Sequence, residues 1–277
     1  MRESIAIRRT GGAWWPLGGP GHTDRDAWII HGLNGVFSAA PRTPTRTSRA
    51  YQIGSTPRMT KIEERLVDFK VRLEGRTRAD LEELYAEWNN TWEFEQDLEF
   101  RTKSEVFGDR VLRLRLDREM QPDVTSFNMQ STRMEIEMVT VACWPFLGSD
   151  AVTIEKDFGV GTTNLTFPID NPTDVPLWME WGGSPFTALQ LPDALSGRMV
   201  PIPAQADVWK VRTRKTFETL SSATDGTNEW AKMRGVSFMY EIPKRTTTPV
   251  NLPVAITASA PGKIRAIMRR NHEMPWG

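Results

Sequence analysis

What the sequence lacks narrows its chemistry first. It has a single cysteine, Cys143, in 277 residues, so neither an internal disulfide nor a cysteine-ligated zinc site can form. That cysteine lies in Val141-Ala142-Cys143-Trp144-Pro145, where a small buried hydrophobe is the expected role. Histidine is scarce too. His22, His31 and His272 fall in separate segments, none beside another histidine, a cysteine or a carboxylate at ligand spacing. Metal sites and catalytic triads need convergent partners, so neither a metal nor a cofactor is expected. Net charge is also missing: 35 Lys+Arg balance 35 Asp+Glu, which gives no general attraction to nucleic acid or acidic membranes. The longest apolar runs fall far short of the roughly 20 residues that span a bilayer, so no membrane insertion is expected. Arg2, Glu3, Arg8 and Arg9 surround the short apolar stretch near the start, which does not read as a signal peptide. Synthesis in a reducing cytoplasm is compatible with one thiol.

What is present is a globular composition, 39% hydrophobic and 25% charged, with a length that suits one large or two ordinary domains. Eleven tryptophans promise large packed contacts in cores or interfaces. Ser4 to Ile7 reads as a strand, the Gly- and Pro-rich stretch from Gly11 to Gly21 as loop, and Ala27 to Ile30 as a second strand. Residues 39–60 carry Arg42, Arg46, Arg49 and Arg58 among prolines, with no acid anywhere between Ala27 and Thr60. That composition predicts an extended basic arm without a core of its own.

Apolar Val67, Phe69, Val71 and Leu73 alternate with charged residues, the pattern of a half-buried strand over Leu66 to Leu73. Thr77 is placed as an N-cap, and Leu81, Leu84, Tyr85 and Trp88 share one helical face. The spacing then predicts a strand in which Trp92, Phe94, Leu98 and Phe100 oppose Glu93, Glu95, Asp97 and Glu99, followed by a turn at Gly108-Asp109. Leu112, Leu114 and Leu116 form the next alternating run, and Met134, Ile136 and Met138 another; these are antiparallel meander signals. Composition breaks near Pro145 to Asp150. Beyond it, short strands are expected at Ala151–Glu155, Asn164–Ile169, Leu177–Trp181, Asp207–Thr213, Val236–Glu241, Val254–Ala258 and Lys263–Met268, the spacing of a β-sandwich. The fold class is therefore mainly β with one helix, residues 1–148 and 149–277 forming two domains.

Searching for catalysis yields little. Glu93, Glu95, Asp97 and Glu99 could supply the paired carboxylates of a glycoside hydrolase, or line a solvated or interfacial strand face. The four in a row show no asymmetry that would raise one pKa. Gly159-Val160-Gly161 fails the nucleotide-binding fingerprints, and no nucleophile elbow is present. Trp178, opposite Leu177, Met179 and Trp181 on its strand, is a candidate glycan contact or an ordinary packing residue. The arginines of the arm and the eight acids between Asp80 and Glu99 could meet within one chain, meet between neighbouring subunits, or never meet.

Several short pieces in order carry a resemblance: Trp15-Pro16-Leu17-Gly18-Gly19-Pro20, Gly32-Leu33-Asn34-Gly35, Gly108-Asp109-Arg110-Val111-Leu112, Asn171-Pro172-Thr173-Asp174-Val175-Pro176, Phe238-Met239-Tyr240-Glu241-Ile242-Pro243 and Pro275-Trp276-Gly277. Together they resemble the distal-tail (Dit-like) minor tail proteins of long-tailed (siphovirus) bacteriophages of actinobacteria. The resemblance implies an N-terminal ring-forming domain, usually hexameric, and a C-terminal galectin-like sandwich. It implies a virion protein at the distal end of the tail, not an enzyme. Its expected partners are copies of itself, the tail tube protein, the tape measure protein, the tail hub or tail-associated protein, and peripheral receptor-binding proteins. DNA would pass through the lumen without specific binding. On this reading Arg42, Arg46, Arg49, Arg58, Glu93, Glu95, Asp97 and Glu99 are candidate subunit-interface residues. The other readings are a carbohydrate-binding module contacting host cell-wall glycan through Trp178, and a glycoside hydrolase.

Overall fold

The computed structural model describes residues 4–19, 26–123 and 131–276. His22, the tip of the Gly- and Pro-rich stretch and Gly277 lie outside them. The chain divides into two compact units, Met1–Ser149 with His272–Gly277, and Asp150–Asn271.

In the first unit the strands are β1 (Ser4–Arg9), β2 (Trp15–Gly18), β3 (Asp26–Asn34), β4 (Arg42–Thr47), β5 (Thr56–Ile62), β6 (Arg65–Glu74), β7 (Leu98–Ser104), β8 (Gly108–Leu116), β9 (Gln121–Pro122), β10 (Arg133–Ala142) and β11 (Leu147–Gly148). One helix, α1 (Arg78–Thr91), falls between β6 and β7. The main sheet runs β2-β1-β7-β8-β10-β6-β3, with β9 added to β10 and β11 to β8. Alternation in the sequence becomes alternation in burial. Val67, Phe69, Val71 and Leu73 of β6 face the core, as do Leu112, Leu114 and Leu116 of β8.

Helix α1 covers that core with Leu81, Leu84 and Trp88. It starts where expected, because the Thr77 hydroxyl accepts the Asp80 amide at 3.1 Å and satisfies one donor of the first turn. Gly75 permits the tight approach: a Cβ there would lie 2.5 Å from the Leu81 amide nitrogen. An aromatic cluster fills the space between helix and sheet, with Trp88 5.7 Å from Trp15, Trp92 5.6 Å from Trp88, and Phe69 6.3 Å from both Trp92 and Phe100. On the opposite face of β6 and β10, Glu135 takes ion pairs from Lys70 at 2.8 Å and Arg72 at 2.6 Å. Those hydrogen bonds hold the Glu135 carboxyl below its ordinary range.

The second unit is a pair of antiparallel sheets enclosing one core. Its strands are β12 (Val152–Phe158), β13 (Gly161–Asn171), β14 (Met179–Gly183), β15 (Ala188–Pro192), β16 (Met199–Ile202), β17 (Trp209–Arg212), β18 (Leu220–Ser222), β19 (Thr246–Ala258) and β20 (Gly262–Met268). One sheet runs β12-β20-β14-β17-β18 and the other β13-β19-β15-β16. Both contribute to a shared cluster that includes Phe167, Trp181, Trp209, Leu252, Val254 and Ile264, the layered arrangement of a sandwich. Trp181 meets Phe167 edge-on at 5.2 Å, and the buried Trp209 indole donates to the Ser184 carbonyl at 2.8 Å.

Asn171 explains the Asn-Pro-Thr-Asp turn. It is fully buried and donates to the carbonyls of Val175 and Pro243 at 2.9 and 3.2 Å, while its oxygen accepts the Thr173 hydroxyl at 2.8 Å. The turn is a buried polar hub, as uncompensated burial of an amide would be costly. Asp193, also fully buried, plays the same part for the Met239-Tyr240 segment by accepting both amides and an ion pair from Arg198 at 2.8 Å.

The structure corrects several expectations. Trp15–Gly18 is a strand rather than loop, because it pairs with β1. His31 belongs to β3, which runs on to Asn34 through two register shifts. Val236–Glu241 is not a strand; side-chain oxygens of Asp193 satisfy its Met239 and Tyr240 amides instead of a ladder. Glu93, Glu95 and Asp97 precede β7, and only Glu99 of the four lies in a strand. Cys143 is exposed rather than buried. Residues 272–277, expected with the C-terminal domain, belong to the first unit.

Candidate assembly interface

Residues 39–60 do not form a loose arm. Strands β4 and β5 pair with each other as a separate two-stranded sheet, from Arg42 opposite Ile62 to Thr47 opposite Thr56. Threonines supply β-branched positions that suit a strand. Pro44 and Pro57 are tolerated because both strands are edges, where a missing amide costs no second ladder. A register shift between Thr45 and Arg46 adds local twist. The connecting loop is pinned by Gln52, whose amide donates to the Arg49 carbonyl at 3.0 Å and whose side chain donates to Thr56 at 2.9 Å. Tyr51 takes a positive φ of 67° at the tip, an uncommon conformation for a bulky residue.

No residue from 41 to 62 is buried, and Tyr51 and Ile53 at the tip are fully exposed. An isolated two-stranded hairpin is marginal in water. Its charge is one-sided, with Arg42, Arg46, Arg49, Arg58 and Lys61 and no acid. The remainder of the first unit is the opposite, with 23 acids against 16 bases, a net charge of −7.

The candidate residues divide accordingly. Arg42 ion-pairs with Glu273 of its own chain, and Lys61 with Glu63 at 2.6 Å. Arg58 donates to the Thr47 hydroxyl at 3.2 Å. Among the described residues, Arg46, Arg49 and Arg58 make no ion pair. The acids of the second set have partners elsewhere in the unit: Glu93 meets Arg9 at 2.8 Å, Asp97 meets Arg115 at 2.6 Å and Glu99 meets Arg8 at 2.6 Å, while Glu95 is exposed. The structure therefore does not bring the arm arginines to these acids within one chain. Asp97 and Glu99 border a shallow, open cavity of about 290 Å³ with Thr10, Gln96 and Arg113. Ion-paired and open to water, they lack the apolar enclosure that a general acid requires.

Trp178 is half-buried, while Leu177, Met179 and Trp181 are in the core as the alternation implied. His31 is exposed, and His272 approaches the Ser149 hydroxyl at 3.3 Å. No group of three His, Cys, Asp or Glu residues among the described ones could hold a metal ion. Nor is any described helix long and apolar enough to cross a membrane.

Sequence reasoning missed the root of the hairpin. Arg65 has no exposed surface and spends its guanidinium on backbone carbonyls alone: Pro145 at 2.8 Å, Gly35 at 2.6 Å, Val36 at 3.2 Å, Ser38 at 2.8 Å and Glu273 at 2.7 Å. Burial pulls its pKa down and the Glu273 charge opposes that pull, but a guanidinium stays protonated in proteins. Gly35 makes room, since a Cβ there would meet the Leu66 carbonyl oxygen at 2.0 Å. The neighbouring segment is held by further contacts: Arg110 donates to the Met274 carbonyl, and the Trp276 ring lies 4.5 Å from Phe37. The available signal was an arginine at a position where strand alternation calls for a buried residue.

No protein-family model matches this sequence, and no curated protein sequence matches it. Solved structures do. The chain is similar to the Dit protein of phage SPP1, described as a paradigm of the hub adsorption apparatus in phages that infect Gram-positive bacteria. The TM-score is 0.57 at 12% identity, over 96% of this chain and 98% of that one. It is also similar to a chain of the phage P2 baseplate in its activated conformation with Ca, at TM-score 0.53 and 9% identity over 99% and 100% of the two chains. The same baseplate with Sr gives TM-score 0.52 and 9% identity over 98% and 99%. The chain has the mainly β fold of these Dit and baseplate proteins over nearly its whole length.

Proposed function

We propose that this chain, which has the fold of Dit proteins, is a structural protein of a phage tail tip whose copies assemble into a ring at the distal end of the tail. The observation that carries this reading is the hairpin. It has no buried residue and no core of its own, and bears five bases and no acid, while the body of its unit has a net charge of −7. Beyond the Arg42 and Lys61 ion pairs at its root, such an element gains a hydrophobic and electrostatic partner outside its own chain. A second copy offers one, since its acidic body complements the basic hairpin. Contacts of this head-to-tail kind are heterologous and close into a ring when the rotation permits, and six copies are the number the resemblance implies. Arg46, Arg49 and Arg58, which make no ion pair among the described residues, would then supply bidentate pairing to carboxylates of the neighbour.

In this reading the first unit forms the ring and the second projects from it as the galectin-like domain. The ring joins the tail tube and tape measure proteins to the hub, and supports peripheral receptor-binding proteins. DNA crosses the lumen without sequence recognition, and the role is not enzymatic. Imaging of intact particles decorated with an antibody to this chain tests the assignment: label at the distal tail tip is the expected result. Label elsewhere, or none on particles that carry the intact tail, would overturn it.

A further inference from the structure

Four stretches of the first unit meet at Arg65. The chain leaves toward the hairpin through Gly35, Val36 and Ser38, and returns from it at Arg65 itself. It departs for the second unit at Ser149, four residues after Pro145, and re-enters at His272, one residue before Glu273. Arg65, itself on the return from the hairpin, donates to carbonyls on the departing side of the hairpin and to carbonyls on both flanks of the second unit, and Glu273 adds a carboxylate that ion-pairs with Arg42, the first residue of β4. The hairpin root thus depends on a segment that is made only after the whole second unit. Without residues 272–276, Arg65 keeps its buried charge but loses the Glu273 carbonyl and its nearest anion. Arg42 loses its carboxylate, and Phe37, one turn ahead of the hairpin, loses the Trp276 ring. Arg65 keeps the Pro145, Gly35, Val36 and Ser38 carbonyls, but a buried charge without its counter-charge is less favourable, so the loop 35–42 would loosen toward water.

We propose that Arg65, Glu273 and Arg42 form a latch that fixes the hairpin in its assembly posture only when the segment His272–Trp276 has returned to the first unit. Because synthesis runs from the N-terminus, a chain whose second unit is unfinished has the hairpin sequence but not the latch. The device keeps incomplete chains out of the assembly. The consequence for assembly rests on the ring reading above; the latch itself does not.

Hydrogen exchange on the purified protein separates the two. Three variants are compared with the unmodified chain: deletion of residues 272–277, Glu273→Gln, and Arg42→Gln. Glu273→Gln preserves size and the backbone carbonyl, so it is the variant least able to disturb folding. The expected result is faster exchange confined to residues 35–46 and 58–65, about tenfold or more for the deletion and about threefold for either substitution, as a local opening predicts. Exchange in residues 150–271 stays unchanged. Unchanged exchange at the hairpin root in all three variants would overturn the latch, as would an equal rise across the whole first unit, which marks general destabilisation. Mass photometry on the same samples reads the second claim. Loss of the deletion variant from assemblies formed by the full chain supports the checkpoint, and its incorporation at wild-type frequency overturns that part while leaving the exchange result standing.

Discussion

Two long antiparallel strand pairs in this protein have opposite fates. In the second unit, β13 and β19 pair from Gly161 opposite Ala258 onward, and Phe167, Ile169, Leu252, Val254 and Ile256 point from them into the core. In the first unit, β4 and β5 pair just as regularly, yet no side chain of the pair is buried. The backbone ladders are alike, so hydrogen bonding does not separate them. Burial does: roughly 25 cal/mol per Å² of apolar surface stabilises the first pair and contributes nothing to the second. A ladder with a core is self-sufficient, whereas a ladder without one is an element waiting for a surface.

Removing the core from the self-sufficient pair is the severest way to break this contrast. Trp181→Ala leaves a cavity against Phe167 and is expected to destabilise the second unit by about 3–5 kcal/mol, read from chemical denaturation followed by tryptophan fluorescence. A moderate effect is expected at the helix of the first unit. Thr77→Ala removes the cap on the Asp80 amide and should cost about 1 kcal/mol, visible as a lower denaturation midpoint. At the other extreme, Tyr51→Ala and Ile53→Ala at the hairpin tip should change the stability of the isolated chain by no more than about 0.5 kcal/mol. A large loss from either would mean that the tip is packed within its own chain.

Acid sharpens the comparison within the first unit. Lys70 and Arg72 hold the Glu135 carboxyl below its ordinary value. A lowered folded-state pKa contributes stability that is fully present above the unfolded value, about 4.3, and that is lost as pH falls through the folded one. Denaturation midpoints of the unmodified chain should therefore fall below about pH 4.5, and Glu135→Gln should flatten part of that decline. The hairpin itself carries no acid, but its Lys61 holds the adjoining Glu63 carboxyl below its ordinary value as well.

The parts of the fold that were legible in sequence were those governed by local pattern. Val67 to Leu73, Leu112 to Leu116 and the Thr77 cap behave as their periodicity and chemistry dictate, because each is stabilised by a face presented to one core. The misreadings came where a distant group replaced a local partner. Asp193 satisfies the amides of Met239 and Tyr240 from 46 and 47 positions away, so a strand-like stretch needs no strand. The acids Glu93 to Glu99 read as one strand face because alternation continues through a bend; Arg8, Arg9 and Arg115 hold that bend from other strands. The basic arm was legible in composition, but its pairing into a hairpin was masked by Pro44 and Pro57, which edge strands tolerate. Arg65 showed in sequence only as a charge on the buried face of β6; its partners are backbone carbonyls and carry no sequence signature.

In the proposed ring, another copy of the chain completes the hairpin. Mass photometry on the full protein and on a variant carrying Arg46→Glu, Arg49→Glu and Arg58→Glu tests it most directly. These three arginines make no ion pair among the described residues, so the monomer should stay folded by circular dichroism. Closed oligomers are expected for the unmodified chain and folded monomers for the variant. Assembly of the variant to the same size and at the same concentration would contradict it.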